Sequence, residues 1–385
     1  MLEQTIANHY REQFGSDAEI LVRAPGRINL IGEHTDYNGG LVLPAAIDKA
    51  IWLAMGKRND NLLEFKAFDL KAGFSGSLKS VSKSEKGWPN YLLGVISELK
   101  KDGVEIAGVN VAFGGDIPIG AGLSSSAALE SGMLSGLNQL FDLELRKMDI
   151  IKLAQRGENR FVGMNCGIMD MFASVMGRAE SVVRIDCSSL EYEHFPFHTT
   201  DYSFVLCDSG VKHALVDSEY NTRRRECEEG VQLLRPILPN IQTLRDVPLS
   251  VLLENREQLP PLVFKRCKYV VEEIARVFAA CDALKNNDLK QLGALMNQTS
   301  EGLRHGYEVT CTETDFLVDK AMEQETVIGS RQVGGGFGGC TLNLVKTKES
   351  HHFIKNMQAE YQQRFGRPLV CHIVNLADGV EIMVG

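Results

Sequence analysis

Val109-Asn110-Val111-Ala112-Phe113-Gly114-Gly115-Asp116-Ile117-Pro118-Ile119-Gly120-Ala121-Gly122-Leu123-Ser124-Ser125-Ser126-Ala127-Ala128-Leu129-Glu130 is the stretch around which the chain is organised. Its opening apolar alternation is that of a half-buried strand. Beyond Glu130, Met133, Leu134, Leu137, Leu140 and Phe141 recur at three-to-four spacing. A strand and a glycine-rich loop therefore feed an amphipathic helix whose first turn is three serines. Glycines let a backbone approach a bulky ligand, and the free amides of a helix start attract an anion. The loop alone leaves two readings open, a phosphate cradle or a tight connection capped by Ser124. No Gly-Lys-Ser/Thr follows the glycines, so this is not a Walker nucleotide site.

Upstream, a short helix within residues 1–19 and a strand Glu19–Val22 lead into Arg23-Ala24-Pro25-Gly26-Arg27-Ile28-Asn29-Leu30-Ile31-Gly32-Glu33-His34-Thr35-Asp36-Tyr37-Asn38-Gly39-Gly40. Two arginines, two carboxylates, a histidine and two asparagines on one loop are hydrogen-bond partners suited to a polyhydroxyl ligand. A solvated loop with internal ion pairs would explain Arg23 and Glu33 but not that density. Leu41–Leu43, Ile51–Leu53 and Leu63–Phe65 read as strands of a mixed sheet, and Trp88–Lys101 and residues 147–161 as helices. Asp170 stands between apolar neighbours in Gly167-Ile168-Met169-Asp170-Met171-Phe172. A carboxylate so placed is either paired with a cation or performing chemistry.

Downstream, Ser181–Cys187 reads as a strand and Ser188–Asp201 as an irregular link that divides the chain into residues 1–195 and 196–385. The second half reads as helices on a sheet. A strand Ser203–Cys207 opens it, a helix beginning at Ser218-Glu219-Tyr220 carries Arg223, Arg224 and Arg225 on a solvated face, and further helices start at Pro260-Pro261 and Asp288. Val333-Gly334-Gly335-Gly336-Phe337-Gly338-Gly339-Cys340 is a second glycine loop, entering a strand, and Leu369–Asn375 reads as the last strand.

At 385 residues, with 44% hydrophobic and 24% charged side chains, the chain has the length of two ordinary domains and a globular composition. A net charge of −9 argues against a large nucleic-acid surface. No apolar run reaches the roughly 18 residues of a membrane span, and no signal peptide is visible at the start. Nine cysteines without a Cys-x-x-Cys pair argue for reduced thiols in a cytosolic compartment rather than a zinc site or disulfide framework.

Three separated stretches resemble one family. Arg23–Gly40 resembles the galactokinase signature, with the narrow Gly32-Glu33-His34-Thr35-Asp36-Tyr37 run at its centre. Gly120–Ala128 and Val333–Cys340 resemble the second and third motifs shared by the GHMP small-molecule kinases. Cys166–Asp170 and Ser218–Arg225 are also similar to galactokinase segments, so the resemblance covers nearly the whole chain. It implies an α+β fold of two lobes with the site in the cleft between them, the N-terminal lobe resembling the ribosomal protein S5 domain 2-like fold. It also implies ATP-dependent phosphorylation of the 1-hydroxyl of α-D-galactose, giving α-D-galactose 1-phosphate for the Leloir pathway.

By the same resemblance Asp170 is the base, and Arg27 lies beside it and the transferring phosphoryl group. Glu33, His34, Thr35, Asp36 and Tyr220 contact the sugar. Gly120, Ala121, Gly122, Leu123, Ser124, Ser125 and Ser126 wrap the nucleotide phosphates, Ser126 and Glu158 hold Mg2+, and the second glycine loop braces the first. The expected partners are galactose and ATP, with neither nucleic acid nor membrane, for a monomer in the cytoplasm. Two stretches depart from the pattern. Arg331-Gln332-Val333 stands where relatives carry methionine and threonine, so the resemblance carries no side-chain role onto it, and Asp208-Ser209 replaces an asparagine-containing pair, a change that bears on the pocket edge. An N-acetylgalactosamine kinase and a non-catalytic galactose and ATP sensor are the rival readings. Against the sensor, Ser124–Ala128 is uninterrupted.

Overall fold

A computed structural model describes residues 2–118, 120–197, 200–211 and 216–384; Ile119 of the first glycine loop lies outside them. Helix α1 (Leu2–Phe14) precedes strands β1 (Ile20–Asn29), β2 (Leu41–Val42), β3 (Pro44–Lys57), β4 (Leu62–Ala67) and β5 (Ala72–Ser77). Helix α2 (Pro89–Lys101), β6 (Val109–Gly115) and helices α3 (Ser125–Phe141), α4 (Lys147–Gly157) and α5 (Met169–Met176) follow, then β7 (Ser181–Asp186) and β8 (Tyr192–Pro196). The second half runs β9 (Tyr202–Asp208), α6 (Val216–Leu234), α7 (Leu249–Glu254), α8 (Pro261–Lys285), α9 (Leu289–Glu301), α10 (Thr312–Met322), β10 (Val327–Gln332) and β11 (Cys340–Lys346). It ends with α11 (Ser350–Phe365), β12 (Val370–Val374) and β13 (Glu381–Val384).

Three sheets result, in the orders β13-β1-β3-β6-β4-β5, β2-β7-β8 and β10-β11-β9-β12. All their pairings are antiparallel except β4 with β6, so the first sheet is mixed, as the sequence suggested. Alternation sorts its two faces. Leu53, Met55, Val111 and Phe113 enter the main core, while the small Ala54 and Ala112 lie under Ile6 and Tyr10 of α1. Helix α3 covers the inner face, and Met133, Leu134 and Leu137 of its apolar stripe are fully buried. The same apolar core continues into the second half, through Cys227, Val270 and Leu292 among others.

The structure extends the sequence reading in four places. The signature segment is strand, not loop, as far as Asn29, with a bulge between Pro25 and Arg27. The link at Ser188–Asp201 contains β8, paired with β7. Leu369–Asn375 is not the last strand, because β13 follows and pairs with β1 of the first sheet. The helix over residues 147–161 is α-helical only to Gly157 and widens into a π turn at Glu158–Val162. All nine cysteines are unbridged. Among the described residues no helix is long and apolar enough to cross a membrane.

Close packing between helix and sheet depends on missing side chains in α3. A Cβ at Gly132 would lie 2.6 Å from Leu53 Cδ1 and 2.8 Å from Ala24 Cβ. Gly132→Val should therefore lower stability by about 1–3 kcal/mol despite the better local helix former. Denaturant unfolding measures this, and an unchanged midpoint would mean that helix and sheet lie farther apart.

Candidate active site

Strand β1 and helix α5 bring together one cation and one carboxylate far apart in sequence. Arg27 Nε donates to Asp170 Oδ1 at 2.8 Å and Nη2 to Oδ2 at 3.1 Å. The guanidinium is 3% exposed, and its Nη1 donates to the Gly122 carbonyl at 2.6 Å. Burial alone would pull the pKa of Arg27 down, but the charges of Asp170 and Glu33 outweigh it and the guanidinium is raised. Ser124 Oγ donates to Asp170 Oδ2 at 2.5 Å. Asp170 sits in the first turn of α5, where a carboxylate is favoured by the helix dipole.

The glycine loop is held open by its backbone. Gly120, Gly122 and Ser124 all have positive φ, 78°, 77° and 59°. That turn delivers the first amides of α3, which have no partner within the helix, to one side of a cavity. The second glycine loop lies against it. A Cβ at Gly122 would come 2.7 Å from the Val333 carbonyl, and one at Gly334 would come 2.9 Å from the Gly122 carbonyl. Cys340 N donates to the Ala121 carbonyl at 3.0 Å, and Ser209 Oγ to the Gly339 carbonyl at 2.7 Å. The second loop braces the first, as expected.

Two cavities meet at Arg27 and Asp170. The larger, about 340 Å³, is walled by Gly120, Gly122 and Leu123 to Ser126 on one side, Gly335–Gly339 on the other, and Glu158. The smaller, about 40 Å³, is lined by Glu33, His34, Asp36 and Gly334. Tyr220, Cys166 and Gly335 border both. Glu33 is anchored there by Gly334 N, which donates to its Oε1 at 2.9 Å, and by Arg331 Nη2, 2.7 Å from the same oxygen. Burial, then the charge of Asp170, pushes Asp36 up to about 7. Gly167 makes room for it, since a Cβ there would overlap the Asp36 carboxylate.

Glu158, at the start of the π turn, is 6% exposed and hydrogen-bonded by Ser126. Burial, then Asp170, pushes it up to about 7. Behind it Glu130 is fully buried and raised well above the usual carboxylate range, by burial first and by the charge of Glu158 second. A hydroxyl and a carboxylate suit a hard cation, and the crowding of Glu158 with Asp170 is what a cation would relieve. Among the described residues no three His, Cys, Asp or Glu side chains converge on one point. That donor set fits Mg2+, which keeps waters and takes one or two protein ligands plus substrate phosphates.

The arrangement matches known proteins. The galactokinase galactose-binding signature matches residues 8–57, the GHMP kinases N terminal domain residues 90–178, and the GHMP kinases C terminal domain residues 280–363. The galactokinase of Clostridium acetobutylicum is 40% identical over 388 residues, covering 99% of this chain and 98% of that protein. The chain belongs to the galactokinase family. Galactokinase from Chloroflexus aggregans is likewise 40% identical, with 95% of each chain covered. The crystal structure of Lactococcus lactis galactokinase complexed with galactose superposes with a TM-score of 0.95 at 33% identity, covering 99% of this chain and 100% of that one. Methanococcus jannaschii mevalonate kinase, 17% identical with a TM-score of 0.64, shares the fold.

Within this galactokinase-family site the residues read from the sequence separate into groups. Arg27, Asp170, Glu158, Tyr220 and the run Gly120, Gly122 to Ser126 converge on the larger cavity, and Glu33, His34 and Asp36 on the smaller. Two expectations need correction. Thr35 is fully buried and lines neither cavity, because its hydroxyl serves the Gly32 and Leu41 carbonyls at 2.9 and 2.6 Å. Ala121 also lines neither and presents its carbonyl to Cys340. Arg331 had no expected role, yet it is fully buried and also donates to the Asn29 carbonyl. A buried arginine just ahead of a glycine loop was the available signal, though not its partner.

Asp36 titrates near 7 in the folded protein, against about 4 in an unfolded chain. The folded state therefore holds the extra proton between those values, and ligand-free stability falls as pH rises through that window. Asp36→Asn should flatten that fall and raise the ligand-free melting temperature above pH 7, as melts from pH 4 to 8 would show. Slopes identical to wild type would place the Asp36 charge in solvent.

Proposed function

We propose that the chain transfers the γ-phosphoryl group of ATP to the anomeric hydroxyl of α-D-galactose, with the hexose reaching from the smaller cavity into the junction at Arg27 and Asp170 and the triphosphate in the larger. The observation that carries this is the Arg27–Asp170 pair where the two cavities meet, in a chain of the galactokinase family. Both rivals, N-acetylgalactosamine kinase and a non-catalytic sensor, are disfavoured by full-length kinship to galactokinases and by the intact serine turn.

A carboxylate accepts about four hydrogen bonds. Asp170 receives two on Oδ2 and one on Oδ1, so a position on Oδ1 remains for the anomeric O–H. Asp170 takes that proton as the hydroxyl oxygen attacks phosphorus. A weak base suffices, because in the loose transition state of phosphoryl transfer attack lags behind leaving-group departure. Arg27, whose two terminal nitrogens each keep one N–H beyond their bonds to Gly122 and Asp170, and the amides of Gly122 to Ser125 stabilise the charge spread over the transferring oxygens. One such preorganised donor can contribute about 3 kcal/mol. Ser126 and Glu158 would hold Mg2+, which when bound neutralises charge on the β- and γ-phosphate oxygens. Asp36 and Glu33 accept from ring hydroxyls, and Tyr220 closes the pocket from the second half. The same reading takes the chain as two lobes dividing near residues 195 and 196, a monomer, and cytoplasmic.

A purified-protein screen of galactose, N-acetylgalactosamine, arabinose and mevalonate should show ATP consumption with galactose foremost; none with galactose would contradict the assignment. Asp170→Ala should keep galactose binding and lose turnover by at least about 100-fold. Near-normal turnover would remove Asp170 from the reaction. Ser126→Ala and Glu158→Gln should each raise the magnesium concentration giving half-maximal rate, and unchanged titrations would exclude both as ligands.

A further inference from the structure

Behind the smaller cavity lies a file of hydrogen bonds that the reaction described above does not use. Cys227 Sγ lies 3.2 Å from the Tyr307 hydroxyl, that hydroxyl 2.8 Å from the Tyr37 hydroxyl, and Tyr37 2.8 Å from His34 Nδ1. Cys227 and Tyr307 are fully buried and His34 is 4% exposed. The file starts on α6 and passes through a π turn, Gly302–Tyr307. It then crosses to the short 3-10 turn Asp36–Asn38 and ends on a residue lining the smaller cavity. The other ring nitrogen, His34 Nε2, makes no close side-chain hydrogen bond, and the Gly335 backbone beside the ring favours a proton on it.

We propose that Tyr37 and Tyr307 are positioning residues for the sugar: the file holds His34 with its proton on Nε2, so that Nε2–H donates to an oxygen of the hexose. This rests on the reading of the smaller cavity as the sugar site. The proton count supports it. The two hydroxyls, the thiol and a neutral imidazole carry one proton each, and the file has three links. If the protons run from Cys227 toward His34, each link is filled and the fourth proton is on Nε2, at the cavity where a sugar oxygen can accept it. If they run the other way, Nδ1–H fills the first link and the last proton is left on the buried thiol, while Nε2 has neither donor nor proton. The thiol is a weak donor and a weak acceptor alike, so its link does not choose between the directions; the phenolic O–H of Tyr37 donating to an imidazole nitrogen favours the first.

The imidazole is neutral and cannot turn freely. Burial, then Arg223 and Arg331, pushes His34 down to about 3, so one nitrogen alone bears the proton at neutral pH. Its ring lies against Tyr307 and Tyr220, with centroids 4.7 and 5.5 Å away. Its backbone is in the left-handed region at φ 64°, and Asn38 Nδ2 donates to its carbonyl at 2.8 Å. The freedom left to the ring is which nitrogen holds the proton, and Tyr37 at Nδ1 acts on it together with the Gly335 backbone.

The test uses the full-length protein labelled with 15N-histidine, as wild type, Tyr37→Phe and Tyr307→Phe, with nitrogen shifts of His34 read by NMR beside steady-state kinetics. The wild type should show the Nε2–H tautomer throughout about pH 6 to 8. Tyr37→Phe should show mixed tautomers and a galactose KM raised about tenfold, the loss of one hydrogen bond, with the ATP KM within about twofold. Tyr307→Phe should move both readings the same way by less, and serves alone if the first variant does not fold. A wild-type Nδ1–H tautomer, or a galactose KM within about twofold of wild type in the folded variants, would overturn the proposal. Should the wild type phosphorylate another substrate instead of galactose, the functional assignment fails, while the tautomer spectra still decide the file.

Discussion

The site depends on the pairing of Arg27 with Asp170. A guanidinium buried to this degree is costly without a carboxylate partner, and this one has a two-pronged contact plus a backbone carbonyl of the first glycine loop. One side chain thereby fixes three things at once: the start of α5, the end of the first glycine loop, and the wall shared by two cavities. Ser124, the residue just ahead of α3, adds a third bond to the same carboxylate. Any shift of β1 against α3 would be felt directly where the two cavities meet, which ties the close glycine packing of α3 on the sheet to the shape of the site.

The second half of the chain closes both cavities from the side opposite the Arg27–Asp170 pair. Its glycine loop lies back to back with the first, where neither could carry a side chain. Arg331 reaches across to Glu33, a fully buried ion pair whose value is the placement of a carboxylate rather than stability. Two helices end in π turns beside the cavities, one placing Glu158 in the wall of the larger and the other placing Tyr307 in hydrogen-bond contact with Tyr37. A widened turn re-aims side chains that a regular helix would send elsewhere.

How much of this was legible followed from the range of the interactions. Strand β6, the glycine loop and α3 carry local signals of period and punctuation, and all were read correctly. Arg27 and Asp170 stood out as polar groups in apolar or glycine-rich settings, but 143 residues separate them and only the family resemblance joined them. Thr35 came to the sugar site only through the resemblance, and nothing in its run signals that its hydroxyl ties down its own turn. Strands β8 and β13 were missed because short, half-exposed edge segments carry little apolar pattern. The role of Arg331 was invisible, since its partners Asn29 and Glu33 lie in another motif and sequence spacing says nothing of such meetings.

The most direct test is a crystal structure of the chain with galactose and a non-hydrolysable ATP analogue bound together. The anomeric oxygen is predicted within hydrogen-bond reach of Asp170, about 2.6–3.2 Å, facing the terminal phosphate while Arg27 contacts both. A sugar seated with its anomeric oxygen turned away from Asp170, or a triphosphate bound outside the turn from Gly120 to Ser126, would contradict it.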